Sequence, residues 1–276
     1  MKEFNIVKTS GETVKYSLKK LKASLKHSGA SDVIIQRIIE KINAELYDGI
    51  STKEIFNRAF YFLNKEKGTY ASKYKLKKAI YELGPSGFPF ENFISAILKY
   101  SGYRTTVGEI VQGKCVQHEI DVIAEKNGGN IIVECKFHGD QVLKCNVKIP
   151  LYIHSRFNDV KAIWDNKNSV KLEKGWVVTN TRFTKDAVEY GNCAGLYLLS
   201  WDYPPENSLK DRINRLGLYP VTVSTLMSRR EKEFLLNREV VLCRQVVEHP
   251  FYLNHLGISE NRKKRILHEM KVISKV

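Results

Sequence analysis

The stretch HEIDVIAEKNGGNIIVECKFH, residues 118–138, sets Asp121, Glu134 and Lys136 within one short span. Asn127-Gly128-Gly129 is a hairpin signal, with Asp121 on one arm and Glu134 and Lys136 on the other. In a strand, residues two apart project from one face, so Glu134 and Lys136 point together while Cys135 turns away. Pairing of the arms brings Asp121 alongside them. Hard carboxylate oxygens suit Mg²⁺ or Mn²⁺, a cation that polarises a phosphodiester and acidifies a bound water. Lys136 would stabilise developing negative charge or orient the attacking water. Glu91, on a helix ahead of the hairpin, would add a third carboxylate. The charged pair also interrupts the apolar run Ile131-Ile132-Val133, where charge is costly without a purpose. The blander reading is a surface hairpin carrying a solvated ion pair.

Neighbouring residues admit other chemistry. Glu119 shares a face with Asp121 and is read as an outer partner of a cation or as a hydrated charge, while His118 points away. His138 is either a support for the group or a strand-end histidine without a catalytic role. Cys115-x-x-His118 and Cys135-x-x-His138 have zinc-ligand types and local spacing. Against zinc, Cys135 lies between Glu134 and Lys136 and faces a core.

The elements that position these groups follow from periodicity. Before them, IVKT and ETVKYS flank Ser10-Gly11 as a hairpin with a two-residue turn. Ser17 caps a helix bearing Leu18, Leu21 and Leu25, and Ser31 opens one with a wide isoleucine stripe. Ser51 and Glu54 have capping-box spacing ahead of Ile55, Ala59 and Leu63. A fourth helix is expected over 70–82. Gly84-Pro85-Ser86-Gly87 breaks the pattern, and Phe90 to Leu98 forms an amphipathic helix. Strands are expected over 103–111, 116–124 and 131–137, then a helix over 147–164. A strand at 176–179, a helix near 184–190 and a strand at 196–200 complete an α/β order. Pro204-Pro205 marks the next break, followed by basic helices.

The run FENFISAILKYSGY, GKCVQHEIDVIA and IIVECKFH resembles the Mrr-like branch of the PD-(D/E)XK nucleases. VVTNTRFTKDAVEYG, with Thr179, Phe183, Thr184 and Ala187, resembles that family's next strand-helix segment. The resemblance covers about residues 86–203 and implies that Glu91, Asp121 and Glu134 hold a metal while Lys136 assists. Mrr proteins usually carry Gln where this chain has Glu134, whereas the wider superfamily carries Asp or Glu. Residues 3–82 resemble the ATP-cone domain through Val7-Lys8, Gly11, Ser17, Lys20, YDGISTKEI at 47–55 and Tyr74. That resemblance implies ATP or dATP as an effector, Lys8 and Lys20 on phosphates, and Ser17 and Thr52 near the nucleotide. Residues 253–270, LNHLGISENRKKRILHEM, look like a helix-hairpin-helix element, a non-specific binder of duplex backbone with Arg262, Lys263, Lys264 and Arg265 on its second helix. A plain helical packing module is the alternative.

The expected fold is therefore an α/β multidomain chain. It has an N-terminal β-hairpin plus helices (ATP-cone, 1–84), a restriction-endonuclease-like core with a mixed sheet (85–205), and a helix-hairpin-helix-like tail (206–276). Charge fits this division: 17 Lys/Arg against 9 Asp/Glu in 1–83, 14 against 13 in 84–205, and 14 against 8 in 206–276, for a net +15. Two basic ends around a near-neutral middle suit contact with DNA through phosphates, weakening as salt rises. No apolar run reaches the length of a membrane span and the N-terminus lacks a signal-peptide core, so a cytoplasmic protein is expected. Five cysteines, Cys115, Cys135, Cys145, Cys193 and Cys243, form no paired framework and suit a reducing compartment. Three readings follow: a nucleotide-regulated, metal-dependent DNA endonuclease, in one copy or as a homo-oligomer; an inactive nucleotide-sensing DNA-binding regulator; and an RNA-processing nuclease.

Overall fold

Apolar residues fall into separate clusters, and those clusters explain where the elements begin and break. The computed structural model describes residues 4–167 and 170–275. An N-terminal hairpin, β1 (Asn5–Val7) and β2 (Thr13–Lys15), is closed by a wider loop than the two-residue turn expected. Lys8 N–H donates to Glu12 and Gly11 N–H to Lys8, leaving residues 9–11 as the turn, with Gly11 at φ +82°. Helices α1 (Leu18–Lys26) and α2 (Asp32–Ala44) start at Ser17 and Ser31, whose hydroxyls accept from Lys20 and Ile34 backbone N–H groups. A short β3 (Ile50–Ser51) pairs parallel with β1, and Ser51 caps α3 (Thr52–Glu66). Leu25, Ile35, Ile38, Ile42, Ile50 and Leu63 form the buried centre of this unit.

The single helix expected over 70–82 is two: α4 (Gly68–Tyr74) and α5 (Leu76–Tyr81), separated at Lys75. Two cores claim the segment. Ala71 packs into the N-terminal cluster, whereas Leu76, Ala79 and Ile80 pack into the main one, and the helix breaks where the segment passes from one core to the other.

The main body is a five-stranded mixed sheet with helices on both faces. Helix α6 (Phe88–Tyr100) is followed by β4 (Arg104–Gln112), β5 (Gln117–Lys126) and β6 (Gly129–Lys136), joined as antiparallel neighbours. Asn127 (φ 53°) and Gly128 (φ +80°) make the β5–β6 turn. After β7 (Lys144–Cys145), α7 (Lys148–Lys167) crosses over to β8 (Lys171–Thr179), parallel to β6. Then come β9 (Arg182–Phe183), paired with β7, then α8 (Lys185–Cys193), capped by Thr184, and β10 (Tyr197–Leu199), parallel to β8. The order is β10-β8-β6-β5-β4. The α/β core with a mixed sheet matches the expectation; the β7–β9 ribbon was not foreseen, since two-residue strands carry no periodicity.

The C-terminal region is helical: α9 (Leu209–Leu216), α10 (Arg229–Leu236), α11 (Cys243–Glu248) and α12 (Glu260–Ser274), with 3-10 turns at Val221–Val223 and Pro250–Leu256. Its apolar residues, from Leu209 to Ile273, share one cluster with Phe90, Phe93 and Val133 of the sheet layer. The arm preceding Gly257 is 3-10 rather than α, while Ser259 caps α12 as expected. Among the described residues no helix is long and apolar enough to cross a membrane.

Candidate functional site

The β5–β6 ladder runs from Lys126↔Gly129 to Val122↔Val133 and stops there. Beyond that point β5 is irregular: Gly108 on β4 has φ +70°, and no pair forms between it and Asp121. Ile120 packs with Ile132 and Val160, whereas Val122, two residues on, packs with Val133 in the main cluster. The strand thus turns over at Asp121. Its carboxylate takes the backbone N–H of Cys135 at 2.6 Å, which fixes it at the edge of Glu134.

Glu134 and Lys136 share a face of β6, opposite Val177 and Thr179 of β8, and Cys135 is buried on the other face. Glu91 joins them from the first turn of α6. The electrostatics record the convergence. Burial, then repulsion from Asp121, Glu119 and Glu134, pushes Glu91 up to about 7. Burial and Asp121 push Glu134 to about 7 against the pull of Arg156 and Lys136. Burial also raises Asp121, offset by the Cys135 N–H and by Arg156. Lys136 is exposed, and its side chain makes no hydrogen bond or ion pair with any described residue.

Arg156 was missed from sequence. It is the one arginine of α7, 22 residues from Glu134 and part of no motif. Its Nη1 donates to Glu134 at 2.6 Å and to the Glu119 carbonyl at 3.1 Å, and its Nη2 donates to the Tyr152 hydroxyl at 2.7 Å. The signal that could have exposed it is a lone guanidinium, 14% exposed, on a helix packed over a strand that carries a carboxylate.

The donor set fits a divalent cation in chemistry. Asp121 and Glu134 are hard oxygen donors at one strand edge, and a cation would relieve the repulsion that raises two of these groups. Mg²⁺ needs only one or two carboxylates and keeps waters for its other positions. Among the described residues no three His, Cys, Asp or Glu side chains stand as a ready-made metal cluster, because Glu134 is turned onto Arg156 and Asp121 onto Cys135.

The zinc alternative is corrected by the same geometry. His118 Nε2 meets Asp159 at 2.8 Å, the Cys115 backbone N–H donates to Asp159 at 2.8 Å, and Cys135 is buried away from both. His138 closes the ends of β6 and β8 instead: its backbone pairs with the Asn180 amide, and Nδ1 lies 3.3–3.4 Å from the Thr179 and Thr181 hydroxyls.

Of the N-terminal residues, Lys8 and Thr52 line a cavity of about 450 Å³ between the hairpin and the sheet domain, together with Lys77, Lys144, Arg182 and Trp201. Ser17 and Lys20 lie outside it; Ser17 caps α1, and Lys20 is exposed on that helix. Lys77 is half-buried without a hydrogen bond or ion pair to a described residue, and burial followed by Arg182 lowers its pKa. A second basic cleft, of about 570 Å³, gathers Lys67 from one end of the chain with Lys264, Arg265 and His268 from the other. Arg262 and Lys263 are otherwise engaged. Arg262 forks onto Glu231 at 2.5 and 2.8 Å, and Lys263 bonds Asn254 and Glu260.

A mixed sheet flanked by helices, with acids at the strand edge and Glu-x-Lys on the next strand, defines a restriction-endonuclease-like domain. Residues 84–202 match the Mrr-type restriction endonuclease family, and residues 219–274 match the AF1548-like C-terminal family. The chain belongs to the AF1548-like family. An uncharacterised protein of Archaeoglobus fulgidus is 32% identical over 181 residues, covering 65% of this chain and 99% of that protein. The crystal structure of AF1548, a protein of unknown function, superposes with TM-score 0.56 and 30% identity over 69% of this chain and all of that one. Residues 4–83 lie outside both matched spans.

Proposed function

We propose that this protein is a divalent-metal-dependent DNA endonuclease that hydrolyses phosphodiester bonds. What supports the reading is Asp121 held on the Cys135 N–H beside Glu134, with Lys136 on the same face of β6 and unpaired among the described residues, and the repulsion that Asp121 and Glu134 exert on Glu91. Asp121 and Glu134 would hold the cation and Glu91 its water shell. When bound, it supplies Lewis-acid polarisation of the phosphodiester and a more acidic water. Lys136 holds the scissile phosphate and stabilises the charge that develops on it. Arg156 draws the Glu134 pKa down against burial and holds that carboxylate, so an incoming cation competes with it for Glu134. The DNA backbone would run along the basic cleft of Lys67, Lys264 and Arg265, with binding that weakens steeply with salt.

The cavity of Lys8, Lys77, Lys144 and Arg182 would take ATP or dATP, its phosphates on the cations and Trp201 beside the base. Thr181 lines that cavity and touches His138, two residues from Lys136, so occupancy would be felt at the cleavage site. The domain limits 1–84, 85–205 and 206–276 belong to the same proposal.

Supercoiled plasmid with Mg²⁺ or Mn²⁺ tests the reading. Nicking by the full chain, abolished by EDTA and by Asp121→Ala, supports it, and the same assay with ATP or dATP tests regulation. The rival reading, a nucleotide-sensing DNA-binding regulator without cleavage, is favoured by one feature: Glu134 is already held by Arg156. Intact plasmid with a retained mobility shift would establish it.

A further inference from the structure

Helix α6 carries Glu91 towards the acidic group and, on an adjacent face, lines a cleft that the hydrolysis reading does not use. Its floor is Asn92, Ser95 and Ala96 of α6 with Val107 of β4 and Val240 of the C-terminal region, and its volume is about 740 Å³. Phe88, Tyr252, Lys99 and Arg238 stand at the mouth, with Glu109 and Glu239 alongside. Asn92 is only 8% exposed, yet its Nδ2 has no hydrogen-bond partner among the described residues. A buried amide donor left unpaired is costly, and such exceptions in folded proteins call for an explanation. Beside it the Ser95 and Thr105 hydroxyls meet at 2.8 Å, a second polar pair in the same wall. Fixed neighbours keep the cleft open. Arg244 stacks on Tyr100 at 4.7 Å and pairs with Glu248, which also accepts from the Tyr100 hydroxyl. Gln245 Oε1 accepts from the N–H groups of Val241 and Leu242, holding the opposite wall.

We infer that this cleft receives one nucleobase of the bound DNA, turned out of the stack next to the cleavage site. This rests on the nuclease reading for its substrate class but concerns a separate set of residues. The chemistry matches a base: the Asn92 amide, whose buried and unpaired Nδ2 would turn to a ring nitrogen or carbonyl, the paired Ser95 and Thr105 hydroxyls beside it, and apolar floor atoms. Aromatic rings at the mouth suit stacking, and the cations there suit flanking phosphates. The volume falls within the range of small-ligand pockets. Placement argues for a DNA base over a free nucleotide. Asn92 follows Glu91 directly, and consecutive helical residues are turned by about 100°. A strand whose phosphate meets the acids would therefore present its own neighbouring base to this cleft.

The test uses the full-length protein without divalent cation and duplexes carrying 2-aminopurine at successive positions, with binding followed by anisotropy. The expected result is a several-fold rise in 2-aminopurine fluorescence at one position on binding. Asn92→Leu, which removes the donor at similar volume, and Ala96→Phe, which fills the floor, should abolish that rise while anisotropy still reports binding. Circular dichroism verifies that at least one of these variants folds. Bound DNA with no rise at any position overturns the inference, as does an undiminished rise in the folded variants. So does dAMP that binds the wild type as tightly as DNA does and loses affinity in Asn92→Leu while DNA loses none, which makes the cleft a free-nucleotide site. Base extrusion without plasmid cleavage would sink the hydrolysis reading alone; cleavage without extrusion would sink this one alone.

Discussion

Glu269 and the Glu91–Asp121–Glu134 group are both withdrawn from water, yet the fold treats them in opposite ways. Glu269, 4% exposed, accepts from the hydroxyls of Ser72, Ser224 and Thr225 and from the Thr225 N–H, at 2.5–2.9 Å. Its charge is dispersed over donors from two distant segments, Ser72 and Ser224-Thr225, so it binds α4, α12 and the intervening chain into one body. In the other group Asp121 has one backbone donor and Glu134 one arginine, and Glu91 has no donor among the described residues. Two of the three are pushed up to about 7. Saturated carboxylates hold structure together, whereas crowded and under-solvated ones create a demand for a cation.

The largest effects should separate these two treatments. Asp121→Ala and Lys136→Ala should each lower the cleavage rate by about 100-fold or more, with a smaller loss of melting temperature than Glu269→Ala, since Asp121 accepts one N–H and the Lys136 side chain donates to no described residue. Glu269→Ala should do the reverse, costing about 3 kcal/mol as its donors lose their acceptor, while cleavage per folded molecule persists. Thermal melts run beside plasmid assays read both, and equal loss of stability in all three variants would erase the contrast.

A smaller effect sharpens it. Arg156→Ala frees Glu134 from its competing cation, so the Mn²⁺ concentration for half-maximal cleavage should fall about 3- to 10-fold. A rise would mean that Arg156 builds the ion site rather than rivals it. The weakest effect concerns the clamp between α7 and the β4–β5 turn. His118 first, then the Cys115 and Val116 groups, hold Asp159 well below its ordinary 3.8. Its contribution is therefore complete above pH 3.8 and is lost as pH falls through the lower folded value. Wild type and Asp159→Asn should differ in stability at neutral pH and converge in strong acid; a constant difference would remove the carboxylate from the explanation.

Much of the fold was legible because periodicity and capping are local. Ser17, Ser31, Ser51 and Ser259 each start the helix their position announced. Glu134 and Lys136 could be placed on one face because a strand alternates. What stayed hidden depends on packing between distant segments. The break at Lys75 exists because two cores pull on one helix, and Arg156 finds Glu134 only across the β6–α7–β8 crossover. The places of the four residues expected at a nucleotide were hidden for the same reason. Lys8 and Thr52 meet Lys77 and Arg182 from other elements, which no local motif could reveal, whereas Ser17 serves as a helix cap.

Calorimetric titration of Mn²⁺ into the full chain addresses the carboxylate group without relying on turnover. Saturable binding that disappears in Asp121→Asn and weakens in Glu134→Gln, but survives in Glu269→Gln, is the expected result. Titrations that are indistinguishable across wild type, Asp121→Asn and Glu134→Gln would contradict it, because the crowded acids would then hold no ion.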